Sequence, residues 1–150
     1  MGFLNKLKQL AQDGSTAAQQ NIARFQNAAF ADATMAACAL ISAADGSVSP
    51  EERRKTAGFI MSSDKLKAFD TNKLRTRYDE YCGKLDTDFD FGKIELMQVV
   101  GKIKKPEEAR AVIQLAVLIG NADGNFDQHE QKVVRELVFA LKLDPNEFGL

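Results

Sequence analysis

Two short acidic segments carry the side chains best suited to chemistry in this sequence. The first spans residues 44–52, the second spans residues 122–130, and the two match position by position at a constant offset. In each segment an Asp-Gly pair is followed by an apolar residue and then by a glutamate that opens the next predicted helix. Carboxylate oxygens are the ligands that hard divalent cations such as Ca²⁺ prefer. The spacing therefore points to cation binding.

The two segments reproduce only the second half of an EF-hand calcium loop, in which an acid, a glycine, an apolar residue and a glutamate hold fixed places. Where the opening acids belong, the first copy has Ile41 and Ala43 and lacks carboxylates. One half-loop offers too few oxygens for the six to eight that Ca²⁺ takes. Either water completes each site, or the two half-loops share one ion among four carboxylates: Asp45, Glu52, Asp123 and Glu130.

Helix punctuation is a competing explanation of the same residues. An Asp-Gly pair is a common turn because glycine permits positive φ, and Ser or Asp three residues before Glu is a common capping box. A further alternative is an acidic surface that meets a basic partner without any metal. Duplication of one helix–loop–helix unit would explain the likeness of the two copies, so the repeat alone does not decide between these interpretations.

Residues for catalysis are scarce. His129 is the single histidine, and Val133 stands where a zinc-protease helix would need a second one. Cys38 and Cys82 lie in separate apolar helical patterns with no metal or redox spacing. Both are predicted to be small buried side chains. We therefore expect a protein that is not an enzyme.

Composition and charge favour one ordinary globular domain over residues 1–150, with 45% hydrophobic and 27% charged residues. The formal net charge is -1, and the basic clusters are flanked by acids, so no nucleic acid is expected as a partner. The longest uncharged runs, Ala33–Ala44 and Ala111–Ala122, are too short to span a bilayer. The expectation is a soluble cytoplasmic protein with at most peripheral membrane contact.

Helical periodicity dominates the chain, while alternating strand patterns are nearly missing. The predicted fold is all-α, a bundle of seven to eight helices with an internal pseudo-two-fold repeat of helix–loop–helix pairs. Proline one residue after Ser49, followed by two glutamates, marks one helix start clearly. The predicted helices cover residues 3–12, 16–26, 28–44, 50–62, 71–86, 89–104, 106–122 and 127–142, with a last turn at 145–148.

Within this domain, the sequence predicts an amphipathic N-terminal segment over about residues 1–15. Its apolar side chains fall on one helical face among two lysines: Phe3, Leu4, Leu7 and Leu10, with Lys6 and Lys8. The segment is predicted to dock on the bundle of its own chain, and weak contact with a membrane surface is the alternative.

Four segments in order resemble the TerB family of tellurite-resistance proteins. They are residues 42–52, 62–71, 123–127 and 144–150, which read SAADGSVSPEE, SSDKLKAFDT, DGNFD and DPNEFGL. The likeness extends over nearly the whole chain, and several matched segments in order are far more specific than one Asp-Gly loop.

This resemblance implies an α-helical bundle in the bacterial cytoplasm, with a role in tellurite resistance and related stress or phage defence. It implies a divalent metal ion, Ca²⁺ or similar, bound by the acidic loops. The implied ligands are four main carboxylates and two weaker ones: Asp45, Glu52, Asp123 and Glu130, then Glu51 and Asp127. The implied partners are a TerC-like membrane protein and TerD-like calcium-binding proteins, which would recruit the chain to the inner face of the membrane.

Three functional hypotheses follow. The first is a metal-linked adaptor in a membrane-associated complex. The second is a metal-free interaction scaffold that uses the acidic loops. The third is a thiol-dependent enzyme acting on tellurium oxyanions through Cys38 or Cys82.

Overall fold

The computed structural model describes residues 27–63, 66, 69–120 and 127–148. All regular structure in these ranges is helical, which confirms the all-α prediction for them. The six α-helices are α1 Ala28–Ser42, α2 Pro50–Ser62, α3 Thr71–Thr87, α4 Phe89–Gly101, α5 Pro106–Gly120 and α6 Gln128–Ala140, followed by a 3-10 turn at Pro145–Phe148.

Each of these elements corresponds to a helix predicted from the sequence. The predicted helices at residues 3–12 and 16–26 lie outside the described residues, so the total of seven to eight helices stays a prediction. None of the helices in the described ranges is both long and apolar enough to cross a membrane.

Helix α1 is the centre of the bundle. Every residue from Ala33 to Ala43 is buried, and the helix packs against α3, α4, α5 and α6. A charged side chain would lose its hydration in this position without compensation, which explains why the run contains no charge. The second uncharged run forms most of α5, whose largest buried side chains are Ile113, Leu115 and Ile119.

The outer helices bury one stripe each. On α3 the stripe comprises Leu74, Tyr78, Tyr81, Cys82 and Leu85, and all five are buried as the periodicity predicts. On α6 it comprises Val133, Val134, Leu137 and Val138. These stripes cover α1, so the apolar surfaces of the helices meet in one core.

Helix α4 ends at Gly101, three residues before the end predicted from periodicity. Its last turn tightens, because Lys102 and Ile103 donate their amide protons to the carbonyls of Val99 and Val100. Such i to i−3 bonds are typical of a terminating helix. Pro106 then disfavours helical geometry at the residue before it, so the chain turns here and starts α5.

Helix α6 ends at Ala140 because Lys142 adopts a left-handed conformation with φ of 58°. The amide of Leu143 donates to the carbonyl of Val138, and the amide of Lys142 donates to that of Phe139. This pair of bonds is the Schellman arrangement, usually built on glycine or asparagine. A lysine gives no sequence signal for it, so the predicted end at residue 142 is too late.

Candidate metal-binding loops

The first acidic loop begins where α1 ends at Ser42. The Gly46 amide donates to the Ala43 carbonyl at 2.9 Å, and Gly46 itself has φ of +106°. Only glycine adopts this backbone conformation without strain, which confirms the sharp Asp-Gly turn. Asp45 stands exposed at this turn, and its Oδ1 accepts the Ser47 amide at 3.4 Å. The carboxylate therefore faces solvent.

The far end of this loop is anchored to the core and to α2. Val48 is buried, as predicted for the apolar position after the turn. The Ser49 hydroxyl accepts the Glu52 amide at 3.1 Å, so Ser49 is the N-cap and Pro50 the first residue of α2. Glu52 consequently lies in the first helical turn, half-buried, where its charge complements the helix dipole.

The second segment is described only from residue 127 onward, and Asp123 lies outside the described residues. Asp127 caps α6 by accepting the Glu130 amide at 2.9 Å, and Glu130 Oε1 accepts the Asp127 amide at 3.3 Å. This is a complete capping box. Helix punctuation thus accounts for one oxygen of each of these carboxylates, and Glu130 is only 9% exposed.

The two helices that lead into the loops meet at their carboxyl ends. Gly120 is the last residue of α5, and a Cβ placed on it would lie 2.8 Å from the Ile41 Cγ2 near the end of α1. Such a distance is shorter than real Cβ contacts, so the α5 backbone sits directly against the Ile41 side chain. The ends of α1 and α5 therefore lie next to each other.

A buried polar cluster lies beneath the first loop, and it was not predicted from the sequence. The Tyr78 hydroxyl on α3 lies 2.8 Å from the Ser42 hydroxyl at the end of α1. Thr56 on α2 and Cys82 also interact with this hydroxyl and influence its pKa. Burial raises the pKa of Tyr78 far above its usual range. One tyrosine thus ties together the helices before and after the loop. The hint was two hydroxyl residues, Ser42 and Thr56, at otherwise apolar positions.

The remaining predicted ligand of the first loop, Glu51, is exposed and forms an ion pair with Lys55 at 3.3 Å. Beside it, Arg53 contacts Asp79 on α3 at 3.2 Å and Asp86 at 3.6 Å. These pairs fasten α2 to α3 rather than face the loop.

The predicted ligands are carboxylates, which suit a hard divalent cation. Asp123 lies outside the described residues, so the structure describes only some of them. Each carboxylate has two oxygens, and the caps on Asp127 and Glu130 use one each. In the ranges that the structure describes, no three His, Cys, Asp or Glu side chains are grouped closely enough to hold a metal ion. A site would therefore need carboxylates from residues 121–126, among which Asp123 was predicted as a ligand.

The two cysteine thiols lie in the hydrophobic core. Cys38 and Cys82 are both fully buried. Burial raises the pKa of Cys82 to about 11, and it raises the pKa of Cys38 further still. The reactive thiolate is thus scarce near neutral pH. His129 is exposed in the first turn of α6.

Comparison with known proteins gives consistent matches. The family model described as "Tellurite resistance protein TerB" matches residues 31–150. A curated protein from Alcaligenes sp, "Tellurium resistance protein TerB", is 34% identical over 120 residues, covering 80% of this chain and 96% of that protein. No solved structure matches the chain.

Proposed function

The chain belongs to the TerB family, and we propose that it contributes to tellurite resistance as a non-enzymatic adaptor whose two acidic loops share one divalent cation. The role in resistance is supported by the name of the Alcaligenes relative, which covers most of this chain. The shared ion is a proposal about Asp45, Glu52, Asp123 and Glu130.

The contact between Ile41 and Gly120 is the observation that carries this proposal. It brings the carboxyl ends of α1 and α5 together, and each of these helices leads directly into an Asp-Gly segment. Two half-loops that start side by side can supply oxygens that neither has alone. The pseudo-two-fold repeat would then be the arrangement that builds the site.

Oxygen ligands select the kind of ion. Carboxylates and water suit Ca²⁺, Mg²⁺ or Mn²⁺, whereas neither loop offers a thiolate for a softer metal. Four carboxylates held close would repel one another, and a bound cation relieves that repulsion. Ion binding would therefore order both loops and fix the surface between them.

The ordered surface is proposed to engage other tellurite-resistance proteins, a TerC-like membrane protein and TerD-like calcium-binding proteins. The chain would act in the cytoplasm and reach the inner face of the membrane through such a partner. These partners are proposed from the resemblance to the family. In this chain, the exposed Asp45 at the loop turn is the residue that could contact them.

A metal-free scaffold is the second candidate function, and the caps favour it. Asp127 and Glu130 form a complete capping box, and Glu51 pairs with Lys55. These acids thus have structural partners already, and the acidic loops could bind a basic partner directly. Partner binding that weakens with salt but not with chelator would identify this function, because exposed charges are screened by salt.

Tellurite tolerance of a bacterial strain that lacks the chain tests the function. Wild-type chain should restore growth, and Asp45→Asn/Asp123→Asn should not. The matched control Asp90→Asn/Asp144→Asn removes two other carboxylate charges and should restore growth, since asparagine still accepts the Asn146 amide as Asp144 does.

The outcomes separate the hypotheses. If the wild-type chain changes tolerance but the loop variant is equally active, the loops are not the site. If the wild-type chain has no effect, the proposed role in resistance is wrong. A Cys38→Ala/Cys82→Ala variant should keep full activity, and a specific loss with the fold intact would favour thiol chemistry instead.

A further inference from the structure

An open groove runs along the exposed face of α3 and over α4. It consists of a cavity of about 270 Å³ beside Lys73 and Arg77, and a second of about 410 Å³ beside Thr87 and Phe91. The two share Glu80 in their described walls, and we refer to them together as the α3–α4 groove. Its described lining includes no residue of the first acidic loop or of α1, α2, α5 and α6.

The floor of the groove is narrow and its rim is apolar. Helices α3 and α4 approach at Gly92, where a Cβ would lie 2.8 Å from the Lys84 carbonyl oxygen. On the rim, Phe91 is 59% exposed, and Ile94, one turn later on α4 but outside the described lining, is 57% exposed. Neighbouring exposed apolar side chains are one feature of interaction surfaces.

We propose that residues 3–12 of this chain dock as an amphipathic helix in the α3–α4 groove. Phe3, Leu4, Leu7 and Leu10 would cover Phe91 and the groove floor. The family match starts at residue 31, so this segment lies outside the part that defines the family. Docking would join it to the bundle and make residues 1–150 a single domain.

The start of the described chain lies at the correct end of the groove. Asp32, in the second turn of α1, contacts Arg77 at 3.0 Å, and Arg77 lines the smaller cavity. Asn27, the first described residue, caps the helix that carries Asp32, so the described chain begins near that cavity. Residues 13–26 could span up to about 46 Å when extended, at about 3.3 Å per residue. The connection is long enough to reach any point of the groove.

The segment is short enough to lie within the groove. A helix over residues 3–12 is about 15 Å long, at about 1.5 Å per residue. The lining on α3 runs from Asn72 to Thr87, about 24 Å by the same measure. One short helix would therefore occupy roughly two-thirds of the groove.

The charges that line the larger cavity favour residues 3–12 as the occupant. The described lining of the larger cavity has three carboxylates, Glu80, Asp88 and Glu95, against one base, Lys84. Lys84 is already paired with Glu95 at 2.9 Å. The segment carries two lysines, Lys6 and Lys8, and no acid before Asp13. Its charge thus complements the part of the groove that lies farthest from Asn27.

A spin label on the full-length chain tests the docking. The Asn5→Cys variant places a thiol opposite the apolar stripe of the segment. The label should react there selectively, since the native cysteines are buried. The proposal expects paramagnetic broadening of the Gly83, Thr87 and Gly92 amide signals, and none at Gly58 on α2.

Two variants on opposite sides of the contact should each abolish this broadening: Leu7→Asp in the segment and Phe91→Asp on the rim. Phe91 is exposed, so its replacement should leave the fold intact, as the amide spectrum would show. Met61→Asp, an exposed apolar residue on α2, is the matched control and should leave the broadening unchanged.

Three results would overturn the proposal. Broadening that is absent, or that survives both aspartate variants, means that the segment does not occupy the groove. Broadening that disappears on dilution, or in mixtures with unlabelled chain, means that a second copy is the occupant. Broadening that appears only with vesicles containing anionic lipid means that the segment belongs to a membrane surface.

Discussion

Gly120 and Ile41 hold the carboxyl ends of α5 and α1 in direct contact. The Ile41 Cγ2 occupies the space in which a side chain on residue 120 would begin, 2.8 Å from the position of a Cβ. Each helix then leads into an Asp-Gly segment, so this contact determines how far apart the two segments start. At equivalent positions of the repeat, Ser42 and Gly120 are both small residues.

Replacing Gly120 by alanine should therefore destabilise the protein. The methyl group must displace Ile41 or the α5 backbone, and overpacking a core of this kind costs about 1–3 kcal/mol. Urea unfolding measures this cost. Gly58→Ala in α2 is the matched control, because no atom lies within 4 Å of the new methyl and alanine favours a helix by about 1 kcal/mol. Equal effects of the two substitutions would contradict the close approach.

Tyr78→Phe should destabilise the end of α1. It removes the partner of the buried Ser42 and Thr56 hydroxyls, at a cost of about 1–3 kcal/mol for buried polar groups left unpaired. Hydrogen exchange should accelerate most at the first acidic loop. Tyr81→Phe is the control, because the ring of Tyr81 packs near Arg77 and should keep that contact. An unchanged unfolding free energy in Tyr78→Phe would show that the cluster does not hold the loop.

Lys142→Gly should stabilise the protein by about 1 kcal/mol, because the left-handed conformation costs an L-residue about 1–2 kcal/mol. Thermal unfolding provides the measurement. Lys102→Gly is the contrasting substitution, since Lys102 caps α4 with an ordinary φ of -69° and should gain nothing. If Lys142→Gly lowers the melting temperature, residue 142 does not terminate α6 in the way the hydrogen bonds indicate.

The buried thiol of Cys82 makes stability sensitive to alkaline pH. Burial raises its pKa to about 11, whereas an exposed thiol titrates near about 8.5. Below a pH of about 8.5 the Cys82 thiol keeps its proton in both the folded and the unfolded protein, so burial of the neutral thiol contributes its full stabilisation. As pH rises, the unfolded chain loses its proton first, so the unfolding free energy falls by roughly 1 kcal/mol per pH unit until the native thiol ionises.

The Cys82→Ala variant has no thiol to ionise at this position. Its unfolding free energy should therefore fall less steeply between about pH 8 and 11. Urea unfolding at several pH values gives the two slopes. Identical slopes for the wild-type chain and the variant would mean that Cys82 titrates in the folded protein as an exposed thiol does.

Helices α3 and α6 could be predicted from the sequence because each buries a regular stripe, and α1 because it is a long uncharged run. The Ser49-Pro50 start of α2 also appeared as predicted, since its cap is local. The end of α6 could not be predicted, because the residue with the left-handed conformation is Lys142 rather than glycine. The helix ends there through backbone hydrogen bonds that the sequence does not indicate.

The candidate site divides in the same way. The turn at Gly46 and the anchor at Val48 follow from residue types over a few positions. The Tyr78 cluster and the contact at Gly120 join residues far apart in the chain. The periodicity of a sequence does not show which hydroxyl groups meet in the core or which glycine packs against which isoleucine. These contacts could be identified only from the structure.

Calorimetric titration of chelator-stripped protein with Ca²⁺, Mg²⁺, Mn²⁺ and Zn²⁺ tests the central proposal most directly. A shared site predicts one ion per chain, with the heat lost in Asp45→Asn/Asp123→Asn and kept in Asp90→Asn/Asp144→Asn. Saturation at 100 times Kd should also stabilise the fold by about 2.7 kcal/mol. No heat with any of the four ions, or binding that survives in the loop variant, would contradict a cation shared by the two loops.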